Sequence, residues 1–220
     1  MPVHAIVSYD GTPNDDDALA LAGVLGEAGA DLTLAYVRHS ADARDEAQAE
    51  ALLDRGVNTL GGTHAETRVV INASTSDGLR SLVEQEHAEL IVFGSDYRTA
   101  AGRVAPQKST QALLDGGPAA IAIAPAGYRA APIRTIGLLA GVADHAAIDT
   151  AHALAGHFGA EVTDQNYNVD LLVVGSRAEA SPGQAMISAV AENAIIGTSA
   201  PVLVIARDVA LRFGTPIYVA

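Results

Sequence analysis

The 220-residue sequence has no cysteine and no tryptophan, and only 4% of its residues are aromatic. Without cysteine there are no disulfides, no thiolate-bound zinc and no cysteine nucleophile. Basic residues are scarce, 13 against 26 acidic ones, for a formal net charge of −13. That balance argues against a nucleic-acid partner, whose phosphates demand a basic face. It leaves room for a small anion, which a few local donors can hold. No uninterrupted apolar run approaches the ~18 residues that span a bilayer. The opening "MPVHAIVSYDG" lacks the basic start and long apolar core of a secretory leader. A soluble, cytoplasmic protein with no membrane partner is expected.

What the sequence does have is repetition. "AELIVFGSDYR" (Ala88 to Arg98) returns as "VDLLVVGSRAE" (Val169 to Glu179), each an apolar run ending in Gly-Ser. "PAAIAIAP" (Pro118 to Pro125) is echoed by "APVLVIAR" (Ala200 to Arg207), and "GEAGADLT" (Gly26 to Thr33) by "GHFGAEVT" (Gly156 to Thr163). Two copies predict a tandem of α/β units, about 1–127 and 128–220. The offsets are unequal: Gly29 and Gly159 stand 130 residues apart, Gly94 and Gly175 only 81. The second unit therefore lacks 49 residues from the middle of the first. A site built from that middle exists once per chain.

Apolar strands alternate with helical segments, the pattern of an open parallel sheet. The first unit reads as five strands, with helices from Asp15 to about Glu27, Ala41 to Leu60, Ser76 to His87 and about Gln107 to Asp115. The second reads as three strands with helices at about His145 to Phe158 and Gln184 to Ile196. "AEVT" (Ala160 to Thr163) is at most a stub, because a parallel return needs a crossover of a dozen or more residues. So small a sheet must lean on the first unit, and "PVLVIA" is expected to pair with "AAIAIA", each covering the other's open edge. The tail "RFGTPIYVA" (Arg212 to Ala220) has strand character and is expected to cover a further edge, here or in a second copy.

The features "AIVSYDGTPNDDDALALA", "LTLAYV" and "LIVFGS", in that order and followed by a last strand, resemble a universal stress protein. The resemblance covers nearly all of the first unit and the ends of the second. It implies strand order 3-2-1-4-5, an adenine-nucleotide α-hydrolase-like sheet, and a homodimer formed through final strands. It also implies ATP or another adenine nucleotide, with magnesium accompanying it, and at most weak hydrolysis. Nucleotide-binding members carry Gly-x2-Gly-x9-Gly-(Ser/Thr) after the fourth strand, an Asp ending the first strand and a Val ending the second. Carried over, these give Asp10 and Val37 for adenosine and Gly94 with Ser95 for close backbone approach. Three positions depart: Tyr97 and Gln107 replace glycines, and Lys108 replaces the hydroxyl residue, with Ser109 one place late. Arg98, Lys108 and Ser109 are then the phosphate candidates. In the second unit Asp10, Tyr97 and Lys108 align with Ala140, Ala178 and Ala189, so that unit is expected to be structural.

Other readings are weaker. "GRVAPQKS" (Gly102 to Ser109) is one residue from a P-loop, but Gln107 replaces its second glycine and the run starts eight residues after the strand ends. Asp15, Asp16 and Asp17 superficially match the aspartate cluster of nucleoside hydrolases at the wrong spacing, and a helix start explains them. His145 and His152 share a helix face without the company a metal needs. The competing class is a scaffold protein whose pocket has closed, with Gln107 and Lys108 standing in for the nucleotide.

Overall fold

The computed structural model describes residues 2–40 and 42–214. In the first half, strands β1 (His4–Ser8), β2 (Asp31–Arg38), β3 (Ala65–Ile71) and β4 (Leu90–Gly94) alternate with helices α1 (Asp15–Glu27), α2 (Ala43–Thr59) and α3 (Thr75–Glu86). Helix α4 (Lys108–Leu114), a short strand β5 (Asp115–Gly117) and strand β6 (Ala120–Ala124) complete it. The second half runs β7 (Thr135–Leu139), α5 (His145–Phe158), β8 (Glu161–Thr163), β9 (Leu171–Val174), β10 (Ala185–Met186), α6 (Ala189–Gly197) and β11 (Val202–Val204).

Among the described residues nine strands form one sheet in the order β3-β2-β1-β4-β6-β11-β9-β7-β8. The first five positions reproduce the expected 3-2-1-4-5 order, and every pairing within each half is parallel. The halves join where β6 meets β11 antiparallel, with Leu203 opposite Ala122. The near-continuous apolar runs of β4, β6 and β9 are fully buried, because helices cover both faces of the sheet and make two apolar layers.

Three expectations need correction. Residues 184–188 do not start a helix. Ala185 and Met186 instead pair antiparallel with β5 in a two-stranded ribbon, and α6 begins at Ala189. Helix α4 stops at Leu114, since Asp115 already belongs to that ribbon. The stub at Glu161–Thr163 does join the sheet, so the second half has four strands instead of three. It needs no helical crossover, because both strands are short and residues 164–170 run back over the sheet face directly. Gly137 makes this possible: a Cβ there would lie 2.5 Å from the Gln165 carbonyl oxygen. Of the tail predicted as a strand, Arg212 to Gly214 are irregular and residues 215–220 lie outside the described residues.

A polar knot recurs in both halves. Ser95 is fully buried and its hydroxyl donates to the Ala124 carbonyl (2.7 Å) while accepting from the Ala105 amide (3.2 Å). Ser176 donates to the Ile205 carbonyl (2.6 Å) and accepts from the Met186 amide (3.1 Å). Each partner stands 81 residues after its counterpart, the spacing read from the Gly-Ser repeats.

Candidate functional site

Ligands of open parallel sheets sit beyond the carboxyl ends of the strands, where strand order reverses. In the first half that place lies between β1 and β4, whose following loops carry Asp10 and Ser95. The chain's own groups fill it. Asp15, the first residue of α1, turns its carboxylate back onto the β1–α1 loop. Oδ2 accepts from the amides of Asp10 (2.6 Å), Gly11 (2.7 Å) and Thr12 (3.2 Å), and Oδ1 from the Thr12 hydroxyl (3.0 Å). Three converging amides make an anion cradle, and here it is occupied. Burial, and then the neighbouring Asp10 carboxyl group, raise the Asp15 pKa to about 7.

Asn14 closes the other side. Its side-chain amide donates to the carbonyls of Ser95 (3.0 Å) and Asp96 (2.7 Å), while its backbone carbonyl packs so tightly on Gly94 that any Cβ there would collide. The approach of α1 thus explains glycine at 94 without a ligand. Gln107 adds its amide to the Gly94 carbonyl at 3.5 Å.

The candidate residues do not converge on one pocket. Asp10 is exposed and its Oδ1 accepts from the Thr12 amide (3.0 Å). Val37 is buried in the apolar layer under α3, where a side chain on Gly78 would clash with it. Arg98 donates to the Tyr97 hydroxyl (2.7 Å) and lies over that ring, 4.8 Å from its centre. Lys108 lines a surface depression with Gln111, Asp115 and Glu192, between α4 and α6. Ser109 is half-buried in the first turn of α4. Ser95 supplies no free hydroxyl, since the knot uses it.

Sequence reasoning missed the roles of Asn14, Asp15 and Asp17. Their acidic run was read only as a helix start, yet alternate members turn inward. Asp17 Oδ2 accepts from the Gly127 amide (2.8 Å) and Oδ1 lies 3.6 Å from Arg129, tying α1 to the segment after β6. Arg38 at the end of β2 was also missed. It is buried, and among the described residues its Nε and Nη1 have no hydrogen-bond partner. Among the described residues no cluster of histidine and acidic side chains is arranged to hold a metal, and no helix is long and apolar enough to cross a membrane.

The second half has its own crevice between the carboxyl ends of β7 and β9, a cavity of about 340 Å³ lined by Gly141, Asp144, Ser176, Ser188 and Arg207 among others. Val7 pairs with Val92 and Leu138 with Val173, so the counterpart of Asp10 is Gly141, one past Ala140. Neither carries a charge.

The sheet order and the helices on both faces define an open, mostly parallel α/β protein with a crevice at the switch point. No family model and no curated protein matches the sequence. Solved structures do. A universal stress protein from Archaeoglobus fulgidus DSM 4304 matches 93% of this chain and 98% of its own, with a TM-score of 0.70 and 13% identity. A putative universal stress protein from Pseudomonas aeruginosa UCBPP-PA14 matches 93% of each chain at 0.60 and 16%. A universal stress protein solved in complex with cAMP matches only 42% of this chain, at 0.35 and 23%. The fold of this chain is the universal stress protein fold.

Proposed function

We propose that this chain is a non-catalytic, cytoplasmic regulatory protein of the universal stress type, built from two copies of one α/β unit, 1–127 complete and 128–220 shortened. Its first crevice is closed to adenine nucleotides, so it works as an interaction protein instead of a nucleotide sensor at that place. One observation carries the reading: the Asp15 carboxylate already takes the three amides of Asp10, Gly11 and Thr12. A nucleotide phosphate there would meet a spent cradle and a carboxyl group. Asn14 and Gln107 add to the closure. β6 and β11 pair with each other inside the chain as expected, so a homodimer would form through another edge; of the tail expected to reach a second copy, residues 215–220 lie outside the described residues.

A second reading keeps nucleotide binding in the first crevice after Asp15 withdraws. It draws on Arg38, a buried guanidinium with two nitrogens unpaired among the described residues. The two separate by titrating ATP, AMP and cyclic AMP while following the Gly11 and Gly94 amides by NMR. Those amides are expected to stay still in the wild type and to shift in Asp15→Ser. Saturable shifts in the wild type would overturn the closed reading.

A further inference from the structure

In the first half α3 packs against the flank of α4, and its Arg80 donates to the carbonyls of Gly116 (2.9 Å) and Ala112 (3.5 Å) at the end of α4. The second half has α6 in the place of α4 but no helix between β8 and β9 to match α3. The 81-residue spacing carries Ala112 and Gly116 onto Asn193 and Gly197. Both line an open groove of about 380 Å³ beside α6, together with Asn166, Tyr167, Val190 and Ala194. The flank that α3 covers in one half is thus bare in the other.

Val190, Asn193, Ala194 and Gly197 stand at i, i+3, i+4 and i+7, one stripe along two turns of α6, roughly 10 Å long. Val190 is 68% and Tyr167 61% exposed, and Ile196 flanks them at 54%. Three of the seven large apolar side chains exposed among the described residues therefore gather here, and exposed apolar patches mark interaction sites. Charge defines what covers this one. Glu192 is the only charged residue of α6, and the segment 164–170 that forms the other wall carries Asp164 and Asp170 but no cation. The Thr198 amide takes the Ala194 carbonyl, and the Gly197 carbonyl has no donor among the described residues. The negative end of the α6 dipole opens on the groove without a cation to meet it. In the first half Arg80 supplies that cation from the helix alongside.

We infer that this groove docks a basic amphipathic helix of a partner protein. Its apolar face covers Val190, Ala194 and Tyr167, and an arginine meets the carbonyl end of α6 as Arg80 meets that of α4. A second copy of this chain is the poorer occupant, since a net charge of −13 brings repulsion to a wall that is already acidic. The inference rests on the reading of this chain as an interaction protein and states the chemistry of the partner.

The probe is a synthetic peptide of residues 73–88, which is α3 with its flanks. Glu84→Lys and Glu86→Lys make it basic, and a hydrocarbon bridge between positions 77 and 81 holds it helical, since a free peptide this short is only marginally so. Titrated into the full chain and followed by NMR, it should shift the Tyr167, Asn193, Ala194 and Gly197 amides saturably while Gly11, Gly94 and Gly116 stay still. Arg80→Gln in the peptide should weaken binding by about tenfold, and Val190→Lys in the protein by at least about as much. Val190 is exposed, so that variant should unfold at the wild-type temperature. No saturable shift along α6, shifts confined to Gly116, or Val190→Lys binding like wild type would each overturn the inference. So would wild-type self-association in sedimentation that Val190→Lys abolishes, because the occupant would then be a second copy. Nucleotide-induced shifts at Gly11 and Gly94 bear instead on the closed first crevice, so the two readings fail by different signals.

Discussion

At the scale of single residues, the chain uses its own polar side chains where a ligand was expected. Asp15 shows the consequence most sharply. The unfolded chain releases this proton near the ordinary value of 3.8, whereas the folded chain holds it to about 7. The folded state therefore binds more protons across that interval, and stability falls as pH rises. The contribution is complete below about pH 4, declines toward pH 7 and then levels. A shift of this size is worth roughly 4 kcal/mol. Urea unfolding at steps from pH 4 to pH 8 should show this decline in the wild type and a flatter profile in Asp15→Asn. Burial also raises Asp17 and Asp144, so part of the slope should survive. An unchanged profile in Asp15→Asn would remove Asp15 as its source.

Among the elements, the most consequential is the shortcut from β8 to β9. Between β8 and β9 the second half has no counterpart of α2, β3 and α3, and a seven-residue return over Gly137 joins the two strands. Spacing in the sequence predicts a short connection here but not the stub's pairing, because the rule for long crossovers assumes strands of ordinary length. With three residues in β8 the path back is short, provided nothing projects from the face it crosses. Gly137→Val should therefore cost about 1–3 kcal/mol, the range for overpacking. It should also release β8, speeding exchange of its ladder amides while those of β4 and β6 hold. Equal protection in β8 would mean that the return is not pressed on Gly137.

For the molecule as a whole, the joint between β6 and β11 decides the architecture. Two parallel sheets meet antiparallel, and each hides the other's bare edge. A fragment of residues 1–127 would keep its five strands and expose β6 along its length. Such an edge templates pairing with another chain, so the fragment is expected to self-associate where the full chain does not use that edge. Sedimentation at several concentrations would show it, and a fragment monomeric throughout would count against β6 as the controlling edge. Residues 128–220 alone should fail to give cooperative unfolding, since a sheet that small buries too little apolar surface.

The sequence by itself determined the Gly-Ser repeats, the helix positions of α1 and α5, and the pairing of "PVLVIA" with "AAIAIA", whereas the strand order of the first half came from the family resemblance. These are legible because they depend on local period, on turn residues, and on the need to cover a strand edge. The tertiary structure decided the rest. That Asp15 and Asp17 turn inward while Asp16 stays exposed depends on which amides lie within reach, and no spacing in "NDDD" reveals it. That Lys108 faces α6 depends on the rotation of α4, and that Gly94 is crowded by Asn14 depends on how closely α1 meets β4. Composition showed a chain short of cations and able to hold only a local anion. Where such an anion finds unspent donors is a matter of three-dimensional approach, because a hydrogen bond is fixed by distance and direction and not by order along the chain.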